Sequence, residues 1–186
     1  METIRCKKIV VIAGLIFQCL IACNKEDDSV SMEEQKIFFE FNSTNSAWGL
    51  AYTHWIIDNK GNIRVNRVRD SIVNISADRL GSFVNYFDSI IYKLETKELT
   101  KYVGMIDFAA KGDIDSISRT KNDFGSVLVN CFWYDKISKR YKTILLSFKS
   151  DLLDCKNTDT SAIKIDSWLK DINSNIYPKR GIRELL

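Results

Sequence analysis

His54 is the only histidine in the chain, and it stands in an alternating segment, Trp48 to Ile57 (WGLAYTHWII). A histidine can serve as a general base or a metal ligand. The first role needs a nucleophile and an orienting carboxylate; the second needs further ligands at a ligand spacing. Neither accompanies His54, which therefore reads as a cross-strand packing partner or an exposed polar residue beside Trp55. Acidic residues gather at Asp107, Asp113, Asp115 and Asp123. Two carboxylates at the right separation can hydrolyse a glycosidic bond, and oxygen-rich loops bind calcium, but these four lack EF-hand spacing. With Lys111 and Gly112 among them they read as a solvated loop. No catalytic residue, metal site or cofactor is expected.

Trp48, Tyr52, Trp55, Trp133 and Tyr134 are the residues best suited to binding. Aromatic side chains on outward strand faces stack on sugar rings or anchor a protein partner, because they offer large contact area at low entropy cost. Their alternative use is to fill the core beneath helices. In a regular strand Trp48 and Trp55 point to opposite faces, so a one-sided core leaves one of them outside. Arg64, Arg67 and Arg69 form a basic cluster near a turn, and Lys136, Lys139 and Arg140 form another at a hairpin tip. Both read as solvated faces, with an acidic glycan or partner as the other use.

These residues must be placed by a small set of elements. Lys36 to Asn42 is a short apolar strand, and Trp48 to Ile57 is the alternating one. Asp58-Asn59-Lys60-Gly61-Asn62 supplies turn chemistry, with Gly61 able to take positive φ. Ile63 to Val68 returns as the partner strand, and Ser71 to Ile75 extends or follows it. Ser76 is a good N-cap for a long helix whose stripe runs Leu80, Phe83, Val84, Phe87, Ile91 and Leu94. Thr96 caps a second helix carrying Leu99, Val103 and Ile106, and Lys111 to Asp123 reads as loop. Ser126 to Tyr134 and Tyr141 to Phe148 form a hairpin around the tip Asp135 to Arg140. Thr160 caps a last helix with Ile163, Ile165, Trp168, Leu169 and Ile172. Strands joined by short connections, without β–α alternation, predict an antiparallel sheet. The expected fold is α+β, about five antiparallel strands with about three helices packed on one face.

The N-terminus has its own organisation. Arg5, Lys7 and Lys8 precede an apolar run, Ile9 to Ala22, which would reach roughly 21 Å as a helix. A hydrocarbon core of about 30 Å needs around twenty apolar residues, so the run fits a secretion signal better than a membrane span. Leu20-Ile21-Ala22-Cys23 closes the run and resembles the bacterial lipobox cut by signal peptidase II. The resemblance implies removal of residues 1–22 and acylation of Cys23. Two or three acyl chains anchor firmly, at about 0.8 kcal/mol per buried methylene. Lys25-Glu26-Asp27-Asp28 resembles the acidic export sequence of Bacteroidota surface lipoproteins, which implies the cell surface or otherwise the periplasmic face of the outer membrane. Asp28-Ser29-Val30, Asp70-Ser71-Ile72 and Asp115-Ser116-Ile117 resemble the O-glycosylation triplet of the same bacteria, and Asp88-Ser89-Ile90 matches it at a less accessible place within the expected long helix.

Cleavage leaves residues 23–34 as an acylated, charged tether, 35–178 as one domain and 179–186 as a basic tail. It takes Arg5, Lys7, Lys8 and Glu2 from the 27 basic and 24 acidic residues of the chain. The remaining near-neutral balance carries no electrostatic footprint for nucleic acid. Cys6 and Cys19 leave with the signal, so Cys131 and Cys155 remain in an oxidising compartment. A disulfide would stabilise the fold by about 3 kcal/mol; the other reading is two separate, half-buried thiols. In a 126–148 hairpin Cys131 faces a residue near Ile144, so the chain must turn back after Leu153 to bring Cys155 close. The combined expectation is a non-enzymatic binding protein of the cell envelope whose ligand is a glycan or an envelope or host protein. An envelope inhibitor or immunity protein comes next, and a hydrolase third.

Overall fold

A computed structural model describes residues 34–45, 51–66, 84, 87–118 and 125–177. The signal run, Cys23, the tether up to Glu33, Trp48, Arg67, Arg69, the 71–75 segment, Ser76, Asp123 and the basic tail lie outside them. Of the glycosylation triplets, 28–30 and 70–72 also lie outside.

Eight antiparallel strands form one sheet in the order β4-β3-β2-β1-β6-β7-β8-β5. They are β1 (Ile37–Asn45), β2 (Ala51–Asp58), β3 (Asn62–Val65), β4 (Ser89–Lys93), β5 (Ile114–Ser118), β6 (Ser126–Asp135), β7 (Arg140–Ser150) and β8 (Leu153–Asn157). Two helices of two turns or more, α1 (Thr96–Val103) and α3 (Thr160–Ile176), flank a single helical turn, α2 (Ile106–Ala109). The mixed fold with one antiparallel sheet is as expected, but the strand count is eight rather than five, and there are two helices of two turns or more rather than three. The three added strands, β4, β5 and β8, fall where the sequence pattern predicts the end of a helix, a loop and a connection.

The largest correction falls on the end of the expected 76–94 helix; residues 76–83, 85 and 86 of it lie outside the described residues. Its last apolar residues lie in or beside β4, an edge strand paired with β3. Phe87, Ile91 and Leu94 fit a helical stripe by spacing, yet β3 would otherwise end the sheet with its backbone groups unpaired, and pairing to them decides the segment. Ile114 to Ser118 is β5 rather than loop: it pairs with β8 residue for residue, and all five side chains are exposed. Exposure on both sides leaves no alternation of burial to select for, which is why the sequence pattern is silent there. Helix α3 is capped by Asp159, whose carboxylate accepts from the Ser161 and Ala162 amides. Thr160 is its first helical residue instead of its cap, and Thr96 likewise starts α1 after Glu95.

The turn between β2 and β3 forms as read. Gly61 takes φ 77° and donates its amide to the Asp58 carbonyl. Buried Asp58 organises the turn: Oδ1 accepts from the Lys60 and Asn62 amides, and Oδ2 accepts from Asn62 Nδ2 and, at 2.6 Å, from Arg64 Nε. In the β6–β7 hairpin Cys131 lies opposite Ile144, as expected.

Hydrophobic residues cover both faces of the sheet. On one face α1, α2 and α3 close over Phe39, Phe41, Trp55, Ile57, Ile63, Val129, Cys131, Ile144 and Leu146. On the other, Ile37, Ile56, Phe132 and Tyr141 gather with Phe87. The core is therefore two-sided, not the one-sided core expected.

Asp58→Ala removes four hydrogen bonds and strands the Arg64 guanidinium. Urea denaturation should show a loss of about 2–4 kcal/mol, with α3 and the β6–β7 hairpin unchanged in the native spectrum.

Candidate functional site

His54 projects from β2 onto the face opposite the helices, buried, and belongs to a hydrogen-bonded chain. Its Nε2 lies 2.8 Å from Glu40 Oε1 on β1, and its Nδ1 lies 2.8 Å from the Tyr52 hydroxyl. Asn130 on β6 donates Nδ2 to the other Glu40 oxygen at 2.9 Å. Phe87 meets the imidazole edge to face, with centroids 4.8 Å apart. Register explains the assembly. Glu40 lies directly across from Asn130, and His54 sits on the diagonal, opposite Asn42. Diagonal neighbours two residues on remain within reach of long side chains.

The electrostatics describe a network that is held rather than primed to react. Burial pushes the Glu40 carboxyl up, but the hydrogen bond and charge of His54 and the Asn130 amide outweigh it and hold Glu40 below its ordinary value of 4.5. Burial, with the Glu40 charge, raises the Tyr52 phenol, so it stays protonated and is a poor nucleophile at neutral pH. A nucleophile activated by histidine needs the opposite shift. Sequence reasoning placed His54 in packing and missed its partners, because Glu40 and Asn130 are separated from it by 14 and 76 positions and only sheet register brings the three together.

The aromatic set divides between the faces. Trp55 is fully buried under α3, stacked on Phe41 at 5.2 Å and donating Nε1 to Asn173 Oδ1 at 3.0 Å. It fills the core rather than the binding surface expected of it, and presents no ring face to a ligand. Trp133 is half-buried against the same core. Tyr52 is taken up by the His54 chain, and Tyr134 packs on Tyr141 at the opposite face. Trp48 lies outside the described residues. The disulfide is not formed: Cys131 and Cys155 are free, buried thiols. Cys131 lies in the helix-side core. Cys155 pairs with Phe148, which pairs with Leu128, and strand alternation turns those residues to the other face. Burial raises the Cys131 thiol far beyond the range of reactive cysteines.

Asp113 and Asp115 are exposed, and Asp107 lies in the first turn of α2. Among the described residues, no group of three or more histidine, cysteine or carboxylate side chains is placed to hold a metal ion. Of the remaining triplets, Ser116 is exposed on β5, whereas Ser89 is buried and donates to Asp88.

Sequence reasoning did not find the apolar groove between β4 and α3. Ile91, Tyr92 and Leu94 line one side and Ile172, Ile176 and Tyr177 the other, with Glu98 and Asn175 as polar members, around a volume of about 520 Å³. Register creates it: Ile63 pairs with Tyr92 and Arg64 with Ile90, which leaves Ile91 as the extra residue of a bulge. In a regular strand Ile91 and Tyr92 would point to opposite faces; the bulge lets both line the groove. They remain 41% and 57% exposed, and Tyr177 43%.

Compared with known proteins, the chain matches no family model, no curated protein and no solved structure. Among the described residues, no helix is long and apolar enough to cross a membrane.

Glu40→Gln tests the buried network. Because the folded Glu40 carboxyl titrates below its ordinary value, its contribution is present above about pH 4.5 and is lost as pH falls through the depressed folded value. The variant should lose about 1–3 kcal/mol at pH 7 and show a shallower stability decline between pH 5 and pH 3, measured by chemical denaturation across that range.

Proposed function

We propose that this protein is a lipid-anchored module of the cell envelope that binds a partner protein without performing chemistry of its own. The anchor rests on Cys23 at the end of the apolar run, and outward display on the Lys25–Asp28 segment that follows. The observation that carries the binding reading is the bulge at Ile91. A bulge at a sheet edge disturbs the strand's own pairing and re-aims side chains, and here it sets Ile91 and Tyr92 side by side in an open groove. A few exposed apolar residues scattered over a surface are ordinary, but a contiguous set around a cleft marks an interaction site. Four aliphatic residues and two tyrosines outnumber the polar Glu98 and Asn175 in that lining, and this apolar excess fits an extended apolar segment of a protein better than a sugar. The bulge also irregularises the edge, favouring entry of side chains over addition of a strand.

Ile91→Asp places a charge in the groove at an exposed edge position. It should leave cooperative unfolding in place while weakening the wild-type protein's partner at least tenfold, since anchors of this kind contribute about 2 kcal/mol or more. A partner that binds wild type and variant equally would sink the reading. Protease shaving of intact cells tests display. Loss of the region beyond Cys23 is the expected result, and protection until the outer membrane is opened would favour an envelope inhibitor or immunity role.

A further inference from the structure

A second cleft, of about 420 Å³, opens on the helix side of the sheet between α3 and strands β6 to β8. Its floor is apolar, formed by Phe41 and Val127. Its wall is a closed network: Ser147 Oγ donates to Asp166 Oδ1 at 2.5 Å, and Lys170 Nζ donates to Asp166 Oδ2 at 2.6 Å and to Ser147 Oγ at 3.1 Å. Both oxygens of Asp166 are thereby occupied. Asp154, buried, lies across from Lys149 in register, and both already hold interaction partners. Both carboxylates at the cleft, Asp166 and Asp154, are thus partnered.

Donor hydrogens remain. An ammonium has three hydrogens, and Lys170 commits two. Asn173 must turn Oδ1 toward the Trp55 indole, because an indole N–H only donates, and this leaves the Asn173 Nδ2 amide without a partner among the described residues. Lys156 lies directly across from Ser147 on the neighbouring strand, exposed at the cleft rim. An ammonium held in place by Asp166 and Ser147, a second ammonium and an oriented amide therefore surround an apolar floor.

From this we infer that the cleft binds a small molecule bearing an oxyanion group, a phosphate, sulfate or carboxylate, on an apolar body. The oxyanion takes the hydrogens of Lys170, Lys156 and Asn173, where charge-assisted bonds are the stronger kind, and the apolar body covers Phe41 and Val127. Ser147 has no reactive part in this. Its hydrogen is committed to Asp166, and the lysine beside it is ion-paired, so the network positions a donor and breaks no bond. The volume falls in the range of small-ligand clefts. The site is separate from the β4 groove and independent of any partner bound there.

Phenyl phosphate, inorganic phosphate and benzyl alcohol separate the contributions in calorimetric titrations of the purified protein. Phenyl phosphate should bind at least tenfold tighter than either of the others, and should shift the NMR resonance of the Trp55 indole N–H through its bond to Asn173. Asn173→Asp keeps the acceptor for Trp55 but replaces the donors with a negative charge, and Lys156→Glu reverses the rim charge at an exposed position. Each should weaken phenyl phosphate at least tenfold. Ile91→Asp should leave it unchanged. Phenyl phosphate binding no tighter than benzyl alcohol would overturn the inference, as would undiminished binding by Lys156→Glu, which decides the matter alone if Asn173→Asp does not fold.

Discussion

Strand β1 holds the sheet together, because it is the seam between two runs of chain that otherwise fold locally. On one side β1, β2, β3 and β4 follow one another across the sheet, each beside its predecessor; on the other β6, β7 and β8 do the same. The two runs meet where β1 pairs with β6, and Phe39 lies opposite Cys131 across more than ninety positions of sequence. Contacts of that separation carry a loop-closure cost that local hairpins avoid. The compensation is hydrophobic. Helix α3 crosses the seam, with Trp168 edge-on to Phe39 at 5.3 Å and Asn173 bonded to Trp55 on β2. A helix laid on either half alone would leave part of its apolar stripe in water.

The opposite face of the same seam is polar in its middle, and that sets the register. Glu40 on β1, His54 on β2 and Asn130 on β6 come from the three central strands and meet only in the observed alignment. A slip of one residue would turn every side chain to the other face, which would bring Glu40 among the phenyl rings under α3 and Phe39 onto the polar side. A buried carboxylate without partners is far more costly than one that is bonded. The network thus acts against misalignment as much as for stability. Its position beneath Phe87, with a raised phenol and a depressed carboxyl, suits that structural role and gives no activated nucleophile.

Surplus binding capacity lies away from the seam. At one edge of the sheet, the β4 bulge turns two apolar residues toward the end of α3. Nearer the other edge, where α3 faces β6, β7 and β8, the carboxylates are partnered and donor hydrogens remain. The two clefts differ in chemistry because they border different parts of α3. The β4 groove meets Ile172 and Ile176 of its apolar stripe, while Lys170 and Asn173 on an adjoining face reach the second cleft.

Local chemistry alone determined a good part of this arrangement. Asp58 and Gly61 specify the β2–β3 turn, because backbone amides there need a carboxylate acceptor and the chain needs a positive φ. The alternating β6 and β7 segments set their own hairpin, including Cys131 opposite Ile144. The stripe of Ile165, Trp168, Leu169 and Ile172 makes α3 a helix with one buried side. What tertiary structure decided was everything that depends on a distant partner. The apolar spacing of Phe87, Ile91 and Leu94 is compatible with a helix, and the unpaired edge of β3 made Ser89–Lys93 between them a strand with a bulge. The exposed residues of β5 carry no burial pattern at all, and pairing with β8 alone makes them a strand. Tyr52 and Trp55 were equally suited to a binding surface, and the two-sided core drew one into a polar network and the other under α3. Cys131 and Cys155 could not be joined or separated by spacing, since which face each thiol occupies depends on the register of three strands. Side-chain periodicity reports how a segment alternates between water and core, and it is silent on which remote segment supplies that core.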